Sequence, residues 1–217
     1  MERPTLSVFS IERLRMTTDG TGVTTLVGAY GCPLQCRYCL NPHAWNPDTL
    51  PHCRKLNAEE LTRECSIDHL YFVSTGGGIT FGGGDALVHA DFIADFRKTC
   101  PPEWKITVET ALNVPREALL TVLPAVDDFI IDIKDMNPSV YRAYTGSDNA
   151  RVKDNLVFLS EYRKSHEDYR NTHGIRIRIP LIPGFNEEND RKSSAEELTA
   201  MGFENLDFFD YVIRQSE

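Results

Sequence analysis

The chain has 217 residues, 41% hydrophobic and 25% charged, a balance that suits one sizeable globular domain and excludes a disordered chain. Its 32 acidic and 23 basic side chains leave a formal charge of −9, which argues against a nucleic-acid binder or a polybasic membrane-surface protein. No apolar run approaches the roughly 20 residues of a bilayer span, and the opening Met-Glu-Arg-Pro-Thr has neither a basic n-region nor an apolar h-region, so a cytoplasmic enzyme or binding domain is expected.

In chain order, six β-rich apolar runs recur, at residues 23–29, 78–81, 106–108, 129–133, 175–179 and 206–211. Helical spacing fills the intervals. Leu61, Cys65 and Ile67 make one stripe; Phe92, Phe96 and Cys100 step by four; Leu119, Leu120 and Leu123 follow Pro115. Leu156, Leu159 and Tyr162, then Leu198 and Met201, complete the set. Each stripe reads as a helix face packed on a sheet. Strand–helix alternation implies a parallel sheet with right-handed crossovers. Six units cannot close an eight-stranded barrel, so the expected fold is α/β, a partial (β/α)6 TIM-like barrel open on one side, its site at the C-terminal strand ends. With no low-complexity linker and no repeat, residues 1–217 read as a single domain.

The six cysteines are unevenly spread. Cys53, Cys65 and Cys100 stand alone, whereas Gly31-Cys-Pro-Leu-Gln-Cys-Arg-Tyr-Cys39 gathers Cys32, Cys36 and Cys39 at C-x3-C-x2-C spacing after the first strand. In a reducing compartment, clustered thiols read as metal ligands and isolated ones as small hydrophobes. A structural zinc site closes with four protein ligands. An iron–sulfur cube held by three thiolates leaves one iron open to a small molecule. A zinc knuckle completed by His43, His52 or Cys53 is the alternative.

With an aromatic residue before its last cysteine, this loop resembles the cluster loop of radical S-adenosylmethionine enzymes. The resemblance extends to the activating enzymes of glycyl radical enzymes such as pyruvate formate-lyase. Ser10-Ile11-Glu12 with Asp19-Gly20-Thr21-Gly22, Asn41-Pro42 with Trp45, and Gly76-Gly77-Gly78-Ile79-Thr80 follow that family's pattern in order. So do Gly83-Gly84-Asp85-Ala86, Asp132-Ile133-Lys134 with Met136-Asn137, and Arg178 with Ile182-Pro183-Gly184-Phe185-Asn186. The likeness implies a 4Fe-4S cluster on Cys32, Cys36 and Cys39, and S-adenosyl-L-methionine chelated to the open iron. Reductive cleavage would then give a 5′-deoxyadenosyl radical, used to install a glycyl radical on a partner enzyme. By the same analogy the electron donor is a flavodoxin or ferredoxin, with no nucleic acid or membrane as partner.

For the cofactor contacts, the resemblance singles out Tyr38, Gly83, Gly84, Asp85, Glu109, Asp132, Ile133, Lys134 and Arg178. Gly83 and Gly84 would let the methionine end approach the backbone, and Asp85 would meet its ammonium, although Asp stands where the family has Glu. Asp132 and Lys134, two apart, would share one strand face. Tyr38 would contact the adenine, largely through its backbone. Each has a plain structural reading too: a glycine-rich turn capped by Asp85, an ion pair, an aromatic that excludes water. Some features depart from the family. Thr24 stands where an Arg is frequent, Asp210-Tyr211-Val212 replaces a Pro-Tyr-His stretch, and the sequence stops at Glu217. Residues 40–77 hold only Cys53 and Cys65, so no ferredoxin-like insert is expected. Two other functions stay open: the same radical chemistry on a peptide or small metabolite, or with a different cleavage of S-adenosylmethionine, and a non-catalytic cluster or zinc module.

Overall fold

The computed structural model describes residues 3–16 and 18–211. Among them are eight strands in one sheet, in the order β3-β1-β2-β4-β5-β6-β7-β8. They are β1 (Thr5–Met16), β2 (Val23–Ala29), β3 (Arg54–Asn57), β4 (Gly78–Gly83), β5 (Lys105–Thr110), β6 (Asp128–Asp132), β7 (Gly174–Leu181) and β8 (Leu206–Asp210). Every expected strand is present, and the two ends of the order are edge strands, so the sheet is open. β2 pairs with β4, β4 with β5, and β7 with β8, all parallel. The expectation of six strands omitted β1 and β3, which run antiparallel at one edge. β1 buries only Leu6 and Val8 before turning polar at Glu12, Arg13 and Arg15, and β3 has four residues, so neither shows an apolar run.

The chain divides into two compact units. The first comprises residues 1–32, 41–110 and 115–130; the second, residues 33–40, 111–114 and 131–217.

In the first unit, α1 (Ala58–Cys65), α2 (His69–Thr75), α3 (Ala90–Thr99) and α4 (Arg116–Val122) connect the strands. Asn57 starts α1 with a capping box, accepting from the Glu60 N–H while Glu60 accepts from the Asn57 N–H, each at 2.9 Å. Phe81 of β4 meets Phe92 and Phe96 of α3 edge-on, as the four-residue step requires. Two stripe members are corrected. Ile67 lies in a 3-10 turn between α1 and α2, and Leu120 on the outer face of α4; both are exposed. A 3-10 turn changes the angular step per residue, so the spacing that placed Ile67 with Leu61 fails there.

Asp19 is buried and paired with Arg15, and its carbonyl accepts the Thr80 hydroxyl. The Asp-Gly segment is therefore fastened to β4. Asp68, fully buried, accepts from Arg13 Nε at 2.8 Å, Arg13 Nη2 at 2.5 Å and the Thr25 hydroxyl at 3.0 Å. The Arg13 hydrogen bonds hold its carboxyl below the usual aspartate range, with burial opposing.

The second unit contains α5 (Pro138–Thr145), α6 (Ala150–Ser165), α7 (Glu167–Thr172) and α8 (Glu188–Met201). Leu156, Leu159 and Leu198 are buried as their stripes require. Glu187 and Asp190 form the capping box of α8.

A carboxyl with a lowered folded pKa contributes stability above its unfolded pKa and loses it as pH falls through the folded value. Thermal unfolding of Asp68→Asn should thus show a lower midpoint than wild type at neutral pH. The gap should narrow as pH drops below the ordinary aspartate range; a gap constant with pH would refute the Asp68 assignment.

Candidate cofactor site

In the first unit, the segment after β4 turns back on the segment after β2. The Gly84 N–H donates to the Ala29 carbonyl at 3.1 Å and the Asp85 N–H to the Gly31 carbonyl at 2.9 Å. A Cβ on Gly84 would lie 2.1 Å from the Gly31 oxygen, and one on Gly83, at φ +83°, 2.7 Å from Phe9 Cζ. Close backbone approach within the protein already demands glycine at both positions. Asp85 is buried; its Oδ1 accepts from the Leu87 N–H at 3.1 Å and the Thr110 hydroxyl at 2.7 Å, capping the 3-10 turn at 86–89. Glu109 leaves β5 half-buried beside Gly82, where a Cβ would stand 2.6 Å from its Oε2.

The second unit holds Cys36, Tyr38 and Cys39 with the residues after β6. The Cys39 N–H donates to the Cys36 carbonyl at 3.2 Å, a tight turn that brings the two half-buried thiols onto one loop. Lys134 does not continue the pleat of β6. The strand ends at Asp132, and Lys134 has φ +49°, in the left-handed region. Its ammonium reaches back to Asp132 Oδ2, so an ion pair, rather than strand alternation, joins the two side chains. Ile133 between them is fully buried, its N–H donating to the Arg178 carbonyl at 3.3 Å. Arg178 itself is half-buried on β7, opposite Asp207 of β8.

Charge is concentrated here. Burial works against the Lys134 ammonium, but Asp132, Cys36 and Tyr144 outweigh it and hold the lysine above its ordinary value. Burial pushes the Cys36 thiol up to about 11, with Lys134 pulling the other way. Asp132 Oδ1 and the Tyr144 hydroxyl are buried without a hydrogen-bond partner among the described residues. Buried polar atoms are rarely left so. Two orphaned groups beside a buried cation and a cysteine fit a polar ligand and an electron-deficient metal centre that would keep Cys36 as thiolate. Among the described residues no three His, Cys, Asp or Glu groups are gathered about one point. In a cube each thiolate takes a separate iron.

Tyr38 packs edge-on against Phe185 at 5.5 Å and Tyr144 at 6.2 Å, and its carbonyl accepts the Tyr211 hydroxyl. Tyr144 and Tyr211 were not singled out by the sequence; their apolar bodies read as packing, and only their position shows the hydroxyls turned to this cluster. The substitution at Val212 lies outside the described residues. Asp135 was also passed over. It is buried, its Oδ1 accepting the Asn137 N–H at 2.7 Å and its Oδ2 the Asn186 side chain at 2.9 Å. Burial raises its pKa. This bond ties the Asp-Ile-Lys segment to the Pro-Gly-Phe-Asn segment.

The Radical SAM superfamily profile matches residues 26–195, and the chain belongs to that superfamily. Membership implies an iron–sulfur cluster and S-adenosylmethionine. Among curated proteins, the chain is 26% identical to the (2S)-3-sulfopropanediol dehydratase activating enzyme of Klebsiella oxytoca, over 83% of this chain and 73% of that one. It is 33% identical to the pyruvate formate-lyase-activating enzyme of Clostridium pasteurianum, over 64% and 57% respectively. In fold it is similar to Streptococcus suis SuiB bound to precursor peptide SuiA, with TM-score 0.61 and 11% identity, over 87% of this chain and 40% of that one. Among the described residues no helix is long and apolar enough to cross a membrane.

If glycine at 84 serves the backbone first, Gly84→Ala should cost more than about 2 kcal/mol in urea unfolding of the cofactor-free protein. Unchanged stability, with only cofactor binding lost, would return this glycine to a purely ligand-directed role.

Proposed function

We propose that the chain is a glycyl radical enzyme activating enzyme, a single radical S-adenosylmethionine domain with one 4Fe-4S cluster on Cys32, Cys36 and Cys39. The observation that carries the reading is Asp132 Oδ1, buried and without a hydrogen-bond partner among the described residues, at the Lys134–Asp132 pair beside Cys36. Superfamily membership and activating-enzyme relatives support it. When bound, the cluster and S-adenosylmethionine supply one-electron cleavage of a sulfonium carbon–sulfur bond and a carbon radical able to take a hydrogen atom. The chain's own residues bind and orient. Lys134 offsets the negative charge of the thiolates. Asp132 keeps that lysine charged through Oδ2 and offers Oδ1 to a donor such as an ammonium group. Asp85, Glu109 and Arg178 complete the candidate cofactor contacts, together with the backbone at Gly83, Gly84 and Ile133. The Tyr38, Tyr144 and Phe185 rings exclude water from the cysteine loop. The hydrogen donor is a glycine α-carbon on a partner glycyl radical enzyme, and the electron comes from a flavodoxin or ferredoxin.

After anaerobic loading with iron and sulfide and reduction by dithionite, the protein should convert S-adenosylmethionine to methionine and 5′-deoxyadenosine, measured by chromatography. A partner enzyme should then show a glycyl radical by electron paramagnetic resonance. Cys36→Ala should lose both the iron–sulfur absorption and the cleavage. Cys100→Ala, which truncates a buried thiol at the end of α3, should keep both at a stability cost of about 1 kcal/mol. The reverse pattern, or zinc in place of iron, would overturn the reading.

A further inference from the structure

Within the first unit, the 3-10 turn at 86–89 has a donor at each end, and both reach the stretch that leads into Cys32. Asp85, which caps the start of the turn, gives its N–H to the Gly31 carbonyl at 2.9 Å. His89, the last residue of the turn, places Nε2 at 2.7 Å from the Tyr30 carbonyl. A carbonyl only accepts, so Nε2 carries the proton. Backbone bonds hold the rest of this stretch. The Tyr30 N–H donates to the Ser7 carbonyl at 2.8 Å, the Gly31 N–H to the Ala44 carbonyl at 2.7 Å, and the Gly84 N–H to the Ala29 carbonyl at 3.1 Å. At the Tyr30 carbonyl the bond depends on a side chain.

Gly31 gives that bond its weight. Its φ of +132° is open to glycine and costly for other residues, so the residue's own sterics do little to hold the chain there. A Cβ at position 31 would stand 3.0 Å from Val88 Cγ2 and 3.2 Å from His89 Nε2. The half-buried imidazole therefore lies in the space that glycine leaves, against the same peptide that it bonds. A permissive backbone directly before a thiol is here locked from outside, by a ring edge and one hydrogen bond.

We propose that His89 is a positioning residue: its Nε2–H holds the Tyr30–Gly31 peptide and so sets where the chain delivers the Cys32 thiol. The inference rests on the ligand role given to Cys32 above. A ligand whose backbone is ordered before the metal arrives binds without that ordering cost, which is one way outer-shell partners raise metal affinity. His89→Gln keeps an N–H for the Tyr30 carbonyl, whereas His89→Leu keeps apolar bulk and has no donor.

The test compares wild type, His89→Leu and His89→Gln. After anaerobic loading with iron and sulfide, His89→Leu should release iron to a chelator about tenfold faster than wild type, and His89→Gln should restore retention. Before loading, alkylation of the reduced full chain by iodoacetamide is mapped cysteine by cysteine. A loosened hinge exposes a half-buried thiol, so His89→Leu should react several-fold faster at Cys32, with Cys53 and Cys100 unchanged. Equal Cys32 rates in wild type and His89→Leu overturn the proposal and leave the function intact. So does a His89→Gln variant that behaves like His89→Leu, since the ring and not its donor would then matter. Should His89→Leu fail to fold, nitrogen-15 resonances of the wild-type imidazole at alkaline pH decide: a proton on Nδ1 in place of Nε2 rejects the bond. A wild type with no iron–sulfur absorption overturns the ligand role of Cys32, and with it this inference, whatever the alkylation rates.

Discussion

A buried ammonium group is the constraint around which the second unit is organised. Lys134 has little exposed surface, and a charge taken out of water is tolerated only where an opposite charge and directed dipoles replace the lost hydration. Asp132 supplies that charge from two residues away. To reach it, the chain leaves β6 and adopts a left-handed conformation at Lys134, a backbone state that a bulky side chain accepts only when its surroundings impose it. Cys36, Tyr144 and Tyr211, with Asp132 at the end of β6, all bear on this one charge.

Support for that arrangement comes from polar fasteners that do no chemistry themselves. Asp135 joins the segment after β6 to Asn186, and Asn186 also bonds the Pro180 carbonyl at 3.0 Å and the Ile182 N–H at 2.6 Å. The Asn149 side chain donates to the Met136 carbonyl at 2.9 Å. Segments that read in the sequence as separate cofactor motifs are here mutual supports. Substituting a fastener would disturb ligand geometry without removing a ligand, because buried polar networks act as units.

In the first unit the same dual use falls on glycine and aspartate. Gly84 lets two strand-end loops approach to backbone contact, and Asp85 caps the turn that follows. A ligand-binding role at such positions is compatible with a packing role, since close backbone approach leaves amide groups and a carboxylate presented at a strand end.

By itself the sequence determined the superfamily, six of the eight described strands and the cysteine loop. Those features are local: a thiol spacing and apolar runs bounded by turns. It also brought forward Asp132 and Lys134, through two charges set at the end of an apolar run. Only tertiary structure decided how that pair is joined, because an ion pair across a left-handed residue does not follow the two-residue period of a strand. It likewise decided the parts played by Tyr144, Tyr211 and Asp135. Tyrosine at a helical stripe and aspartate in a loop are ordinary, and whether a hydroxyl or carboxylate is buried depends on what distant segments are folded over it.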